Sequence, residues 1–359
     1  MRFALRVADR RGALVDALAE HLPRVGLAGA LADADRVAVP CPVPGDAVVD
    51  GFTWEPRDAD DPAWFPQGVA CVRGGDVLLV SWYGVRRGLR TKGSRITVVD
   101  RTDPARPTYR HVLLVVPRRR LGRLTLSPVP VHAGGIAVVG DLLHVADTVA
   151  GVRVFRLADV LRVPPRRLDA RLPWRGAGTR TLGHRPTGGW TAYGHDHVLP
   201  QALRLRPAVP GALRFSFLSV GDVDGEPSLV VGEYRRAGAR PRLVRYRFDR
   251  ETGLPAVDAA GRSRPVAVHE EAPVRMQGVA VHGPTWWLSA STGEGSAGDL
   301  HVGRPGAFRR HRGVLPTGPE DLDWAVPGEE LWGVTEWPGR RWVFRVDPRP
   351  WSPSSQPRG

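Results

Sequence analysis

Cysteine and lysine are nearly missing from this chain of 359 residues, and long apolar runs are missing altogether. Two cysteines, Cys41 and Cys71, cannot build a disulfide framework, and no CxxC spacing marks a zinc site. Cys71 stands in an apolar run and reads as a small buried hydrophobe. Lysine occurs once, at Lys92, so the formal charge of +14 is carried by arginine. That skew fits GC-rich coding as well as it fits a basic surface. The arginine clusters (86, 87 and 90; 118 to 120; 309, 310 and 312) are scattered and lack interleaved aromatics or a recognisable module. They imply a solvated arginine-rich surface and argue against nucleic-acid binding. No apolar stretch is long enough for a membrane-crossing helix. Asp9, Arg10, Arg11, Asp16 and Glu20 interrupt any signal-peptide core, so a cytoplasmic protein is expected. Leu14, Leu18 and Leu22 at helical spacing predict an amphipathic helix there. GxSxG, a phosphate-cradling glycine loop and HExxH are absent too, leaving serine-nucleophile and nucleotide chemistries without support.

What is abundant is glycine (42), proline (34) and short apolar runs. Hydrophobic residues make up 42%, enough for a substantial core. One pattern recurs: a polar or glycine-rich entry, about five apolar residues, a tight turn, then a second apolar run. It appears in "WFPQGVACVRGGDVLLVSWYG" (64–84), "VHAGGIAVVGDLLHVADT" (131–148), "VRMQGVAVHGPTWWLSAST" (274–292) and "GPEDLDWAVPGEELWGVTEW" (318–337), and more loosely in 213–235. A third strand often follows, as in "SRITVVD", "GVRVFRL" and "RWVFRVD". Meanders repeated in this way predict an all-β protein, a β-propeller. Five blades are expected; residues 160–210, rich in proline and arginine, leave room for a sixth. Residues 1–40 read as a partly helical extension, 41–350 as one propeller domain and 351–359 as a disordered tail. "VVDGFTW" (48–54) is placed to give the last blade an outer strand and close the ring.

In a propeller the first strand of each blade lines the central channel, and the second returns to the same rim. Inner-strand entries therefore bring Gln67, His132, Ser216, Gln277, Glu320 and Asp321 to one opening. Second-strand ends bring Ser81, Tyr83, Asp147, Glu233, Tyr234, Ser291 and Glu336. Several carboxylates and a histidine around one mouth give acid/base capacity or a cation site. Each also has a plain structural use. The glutamines can bond neighbouring backbone, His132 can be a satisfied structural histidine, and Asp147 and Asp321 can be turn residues. Glu233 and Glu336 in apolar strands each need a partner such as arginine. Gly68, Gly134, Gly135 and Gly278 fit crowding between inner strands, and the tryptophans fit packing between blades. His195 and His197 share a face if extended, but no third metal ligand is nearby in sequence.

At "WFPQG", "RHVLLV", "VHAGGIAVVGDLLHVADTVAGVRVF", "FSFLS", "VGEY", "QGVAV", "GPEDL" and "LWGVTEWPGRRWVF" the chain resembles a family of actinobacterial β-propeller proteins, usually secreted and largely uncharacterised. The resemblance spans about residues 50–347 and brings no established reaction with it. The expected function is a small-molecule enzyme, in specialised metabolism, using cofactor-independent acid/base chemistry at the channel mouth: a hydrolase, lyase, isomerase or cyclase. His132 is the expected general base or acid, and Glu320 or Asp321 orients it or acts as partner acid. Gln67 and Gln277 donate to developing negative charge. Tyr83, Asp147, Ser216, Glu233, Ser291 and Glu336 line the substrate. A metal, if any, is Ca²⁺ held by carboxylates. The protein is expected to act as a monomer. The alternative is a non-enzymatic propeller binding a glycan, peptide or protein on the same face.

Overall fold

The computed structural model describes residues 2–85, 91–164, 181–185, 189–236, 238–326 and 328–352. Among them, strands dominate and are arranged as successive antiparallel meanders. The first runs Trp64–Val72, Val77–Gly84, Ser94–Asp100 and Thr108–Arg120. The second runs Ile136–Val139, Leu142–Asp147, Gly151–Arg156 and His197–Pro207. The third uses Phe217–Val223, Glu226–Gly232, Leu243–Asp249 and Pro265–His269. The fourth is Met276–His282, Thr285–Ala290, Ala297–Arg304 and Ala307–Thr317. The fifth is Pro319–Ala325, Glu330–Thr335 and Trp342–Val346, and its outer strand is Val48–Thr53 from the other end of the chain. The innermost strands touch in a cycle, 64–72 to 136–139 to 217–223 to 276–282 to 319–325 and back to 64–72. This is a β-propeller.

Its core follows from strands buried on both faces. Side chains alternate along a strand, so neighbours face opposite blades. Leu78 and Val80 pack toward the fifth meander with Trp54, Trp332 and Val343, whereas Val77 and Leu79 pack toward the second with Ile136, Leu143 and Phe155. Trp286 and Trp287 part in the same way, one joining the third meander's Phe217 and Val230, the other the fifth meander's Leu322 and Phe344. A cluster around Val152, Leu205, Leu218 and Tyr246 fills the seam between the second and third. The apolar seams, not the individual sheets, are therefore the core. Turns are local chemistry: Asp224 and Gly225 both have positive φ (52° and 82°), as a two-residue hairpin of type I′ requires.

The segment before residue 48 is not merely appended. Leu5–Ala8 adds to the outside of the second meander by pairing with His197–Pro207, and Val39–Pro40 pairs with Val48–Thr53. Helix Gly12–Ala19 buries Val15 and Leu18, as the leucine spacing implied. His197–Pro207 also pairs in parallel with Thr108–Arg120, joining the first two meanders at their outer edge. In the stretch that left room for a sixth blade, 165–180 and 186–188 lie outside the described residues; Leu182–Arg185 and Gly189–Ala192 form a small hairpin. The cluster at 86, 87 and 90 and most of the tail (353–359) lie outside them as well. Among the described residues no helix is long and apolar enough to cross a membrane.

Candidate active site

Three inner strands break register where a candidate side chain sits: between Pro66 and Val69, Met276 and Gly278, and Pro319 and Leu322. Such bulges turn a side chain away from the regular pleat. Here they hold Gln67, Gln277 and Glu320 at the start of the ring of inner strands. Gln67 Nε2 donates to Glu336 Oε2 at 3.1 Å, and Gln277 Nε2 donates to Glu320 Oε1 at 2.8 Å. Between the two glutamines the carboxyl groups of Glu320 and Glu336 hydrogen-bond to one another. The result is a chain Gln67–Glu336–Glu320–Gln277 spanning three meanders.

Burial sets the protonation of this pair. It raises Glu320 well above the ordinary glutamate value, and the neighbouring charges of Glu336 and Asp321 push the same way. Burial also raises Glu336, but there the bonds from Gln67 and Glu320 pull back. Their mutual hydrogen bond raises Glu320 and works against the rise of Glu336, so the two carboxyls differ in the direction each pulls on the other. Gln67 is fully buried, and its Oε1 has no donor among the described residues. That is a free acceptor beside an ionisable pair.

Tyr83 and His132 form one wall. Their rings stack at 4.3 Å, and Phe65 also stacks on Tyr83, at 5.6 Å. Burial, then the charges of Glu336 and Glu320, push the Tyr83 hydroxyl up to about 12, so it stays a neutral phenol. His132 is exposed to solvent, yet protein packs closely around part of its ring. That packing and the Arg214 guanidinium bring it down to about 4. It is thus a neutral imidazole near neutral pH. Behind Phe65, at 4.9 Å, lies the buried Arg341, which donates to the Glu336 carbonyl at 3.0 Å and the Asp58 carbonyl at 2.7 Å. Phe65 and Arg341 carried no sequence signal beyond their place in apolar runs.

The remaining candidates go elsewhere. Asp321 neither orients His132 nor joins the pair: its Oδ2 accepts from Val69 N (3.3 Å) and Ile136 N (3.1 Å), tying the first two meanders to the fifth. Among the described residues no hydrogen bond links His132 to Glu320 or Asp321, because the imidazole is turned onto Tyr83. Among the described residues no side-chain hydrogen bond joins Ser216 or Ser291 to the pair and the buried Ser216 hydroxyl has no hydrogen-bond partner, while Ser291 N donates to Arg275 O. Asp147 is bound by Arg153 (2.9 Å) and Arg204 (3.1 Å). Glu233, fully buried, is gripped by Arg242 at 2.7 and 2.9 Å and by Arg235 at 3.1 Å. Against its burial, those bonds hold its carboxyl below the ordinary value. Arg242 supplies two of the four hydrogen bonds that this buried carboxylate takes among the described residues, and removing a partner of a buried charge is strongly destabilising. Arg242→Ala is expected to lose about 3–5 kcal/mol in urea unfolding; a loss under about 1 kcal/mol would mean that water reaches Glu233.

His195 and His197 do not pair as metal ligands. His195 Nδ1 lies 3.0 Å from Ala192 O and His197 Nε2 lies 2.9 Å from Asp33 Oδ2. Among the described residues no group of three histidine, cysteine, aspartate or glutamate side chains is arranged to hold a metal. The serines of two second strands act instead as blade ties, Ser81 Oγ donating to Ala133 O at 2.7 Å and Ser289 Oγ to Glu320 O.

Fold and site together define a β-propeller with a hydrogen-bonded carboxyl pair, one buried and one half-buried, at the start of its inner strands. No protein-family model and no curated protein matches the chain. Among solved structures it is similar to a gluconolactonase from Xanthomonas campestris, 14% identical over 88% of this chain and 89% of that one, with a TM-score of 0.39. It is also similar to a GH43_1 enzyme from Xanthomonas citri solved with xylose (14%, 93% of each chain, TM-score 0.36). A third is the Swd1 β-propeller domain from Myceliophteria thermophila (14%, 79% of this chain and 83% of that one, TM-score 0.36).

Proposed function

We propose that this protein is an enzyme acting on a small polar molecule at the central opening by proton transfer, with Glu320 and Glu336 as its acid/base pair. The observation that carries the reading is the hydrogen bond between the buried carboxyl of Glu320 and the half-buried carboxyl of Glu336, each held from outside by a glutamine amide. A folding chain gains nothing from placing two like charges together; sharing one proton makes one group an acid and the other a base. Glu336 takes a proton from water or substrate, and Glu320 delivers one to the leaving group. The neutral phenol of Tyr83 donates a hydrogen bond, and the neutral His132 positions substrate. Hydrolysis and elimination are the reactions this set performs most directly.

The test is a panel of lactones, glycosides and esters incubated with the full chain, with consumption followed by NMR. Turnover that is lost in Glu336→Gln but largely kept in His132→Gln supports the pair as the chemical centre. Turnover unchanged in Glu336→Gln overturns it. A ligand that binds at the opening and is recovered unchanged points to the non-enzymatic binding propeller.

A further inference from the structure

Outward from the central opening, between the first and second meanders, lies a cavity of about 270 Å³ lined by Arg11, Arg118, Arg153, Arg204 and Arg206. Two carboxylates face these five guanidiniums. Asp147 takes bonds from Arg153 and Arg204, and Asp9 takes Arg206 at 2.6 Å and lies 3.7 Å from Arg204. The cluster is left with an excess of positive charge in a partly enclosed space. Arg11 feels this: burial first, and then Arg118, Arg204 and Arg206, lower its pKa. Nε of Arg11, Arg204 and Arg206 are buried without acceptors among the described residues. Independently, Gln201 lines the same cavity and is fully buried. Its Oε1 is used by Arg153 at 2.7 Å, but its Nε2 has no acceptor among the described residues. A buried amide donor without an acceptor costs free energy unless something supplies one.

We propose that this cavity binds a phosphate-class dianion, inorganic phosphate or a small phosphomonoester. Guanidiniums converging from several strands suit a tetrahedral oxyanion, which offers acceptors in every direction, better than a planar carboxylate. A charge of about −2 balances most of the local excess. The cavity is larger than a bare phosphate, which leaves room for a small ester group.

The test is calorimetric titration of the full chain with inorganic phosphate and, separately, glycerol phosphate, at fixed ionic strength. Binding in the millimolar range or tighter is expected. The double variant Arg118→Ala/Arg206→Ala, which removes two partly exposed arginines, is expected to weaken it at least about tenfold with the ligand-free melting temperature nearly unchanged. If that variant does not fold, the exposed Arg118→Gln alone is expected to weaken binding by about threefold. Tighter binding of the ester assigns the cavity to a phosphorylated metabolite, and tighter binding of phosphate assigns it to the free ion. No heat with either ligand at about ten millimolar, or equal affinity in the variants, overturns the proposal.

Discussion

Replacing Glu320 with glutamine is expected to cut turnover by about 10²–10⁴-fold while leaving the propeller folded. Glutamine keeps the size and can still donate an amide hydrogen to Glu336, so the pair's geometry survives. What is lost is a transferable proton. Stability gives a second readout that needs no substrate. Both carboxyls lie above the ordinary glutamate value of 4.5 in the folded chain. Above pH 4.5 the unfolded chain has released protons that the folded chain still holds. Stability therefore falls as pH rises from there through the folded values. Three histidines act oppositely: His132, His144 and His301 are down to about 4 from 6.5, so their contribution rises between those values. Raw stability against pH mixes the two. The difference between the parent protein and Glu320→Gln isolates the pair, because the histidines are common to both. The variant should show a shallower downward slope, the part left being that of the buried Asp321 and Asp323, and should be relatively more stable toward alkaline pH. Parallel stability curves, or turnover that survives Glu320→Gln, would remove the pair from the chemistry.

Much of this was readable because propeller geometry turns spacing into position. "QG" at 67–68 and 277–278 and "PED" at 319–321 each open an inner strand, so their convergence follows from the repeat alone. Neighbours such as Glu320 and Asp321 diverge for a reason spacing does not reveal. The bulge at Pro319–Leu322 aims one carboxyl at Gln277 and the next at the backbone of two other blades. The same limit applies to His132. Its sequence position places it at the rim, but the positive φ of Ala133 (56°) and the stack on Tyr83 decide where the ring faces. Acids at second-strand ends, Asp147, Glu233 and Glu336, read alike in sequence. They differ because arginines 153, 204 and 242, on neighbouring strands, reach the first two, while Arg341 meets Glu336 through its carbonyl and leaves the carboxyl to Gln67 and Glu320. The fully buried Arg341 is the clearest omission, since an arginine in an arginine-rich chain carries no signal of its own. In the same way the arginine-lined cavity draws on Arg11 from the N-terminal segment and Arg204 from the outer strand, 193 positions apart in a chain of 359.

Adding one methyl group at the hub is expected to be as damaging to the fold as the glutamine is to the chemistry. A Cβ on Gly278 would lie 2.5 Å from Asp321 Cα and 2.6 Å from Leu322 N; one on Gly135 would lie 2.5 Å from Leu218 N and 2.7 Å from Phe217 Cα. These neighbours are main-chain atoms of the next inner strand, so no rotamer change relieves the contact. Whole blades would have to separate, and the cycle of inner strands blocks that, since opening one seam strains the others. Overpacking of a close-packed core costs about 1–3 kcal/mol where side chains can yield. Here a loss above about 4 kcal/mol, or failure to fold, is expected for Gly278→Ala and Gly135→Ala. Gly12→Ala is the control: it meets nothing within 4 Å and sits in a helix, so it should be neutral or slightly stabilising. Denaturant unfolding of the three proteins decides the matter. A loss below about 1 kcal/mol at Gly278 would mean that the inner strands are free to move apart. In that case the bulges at Gln67, Gln277 and Glu320 could not hold two carboxyls within one hydrogen bond.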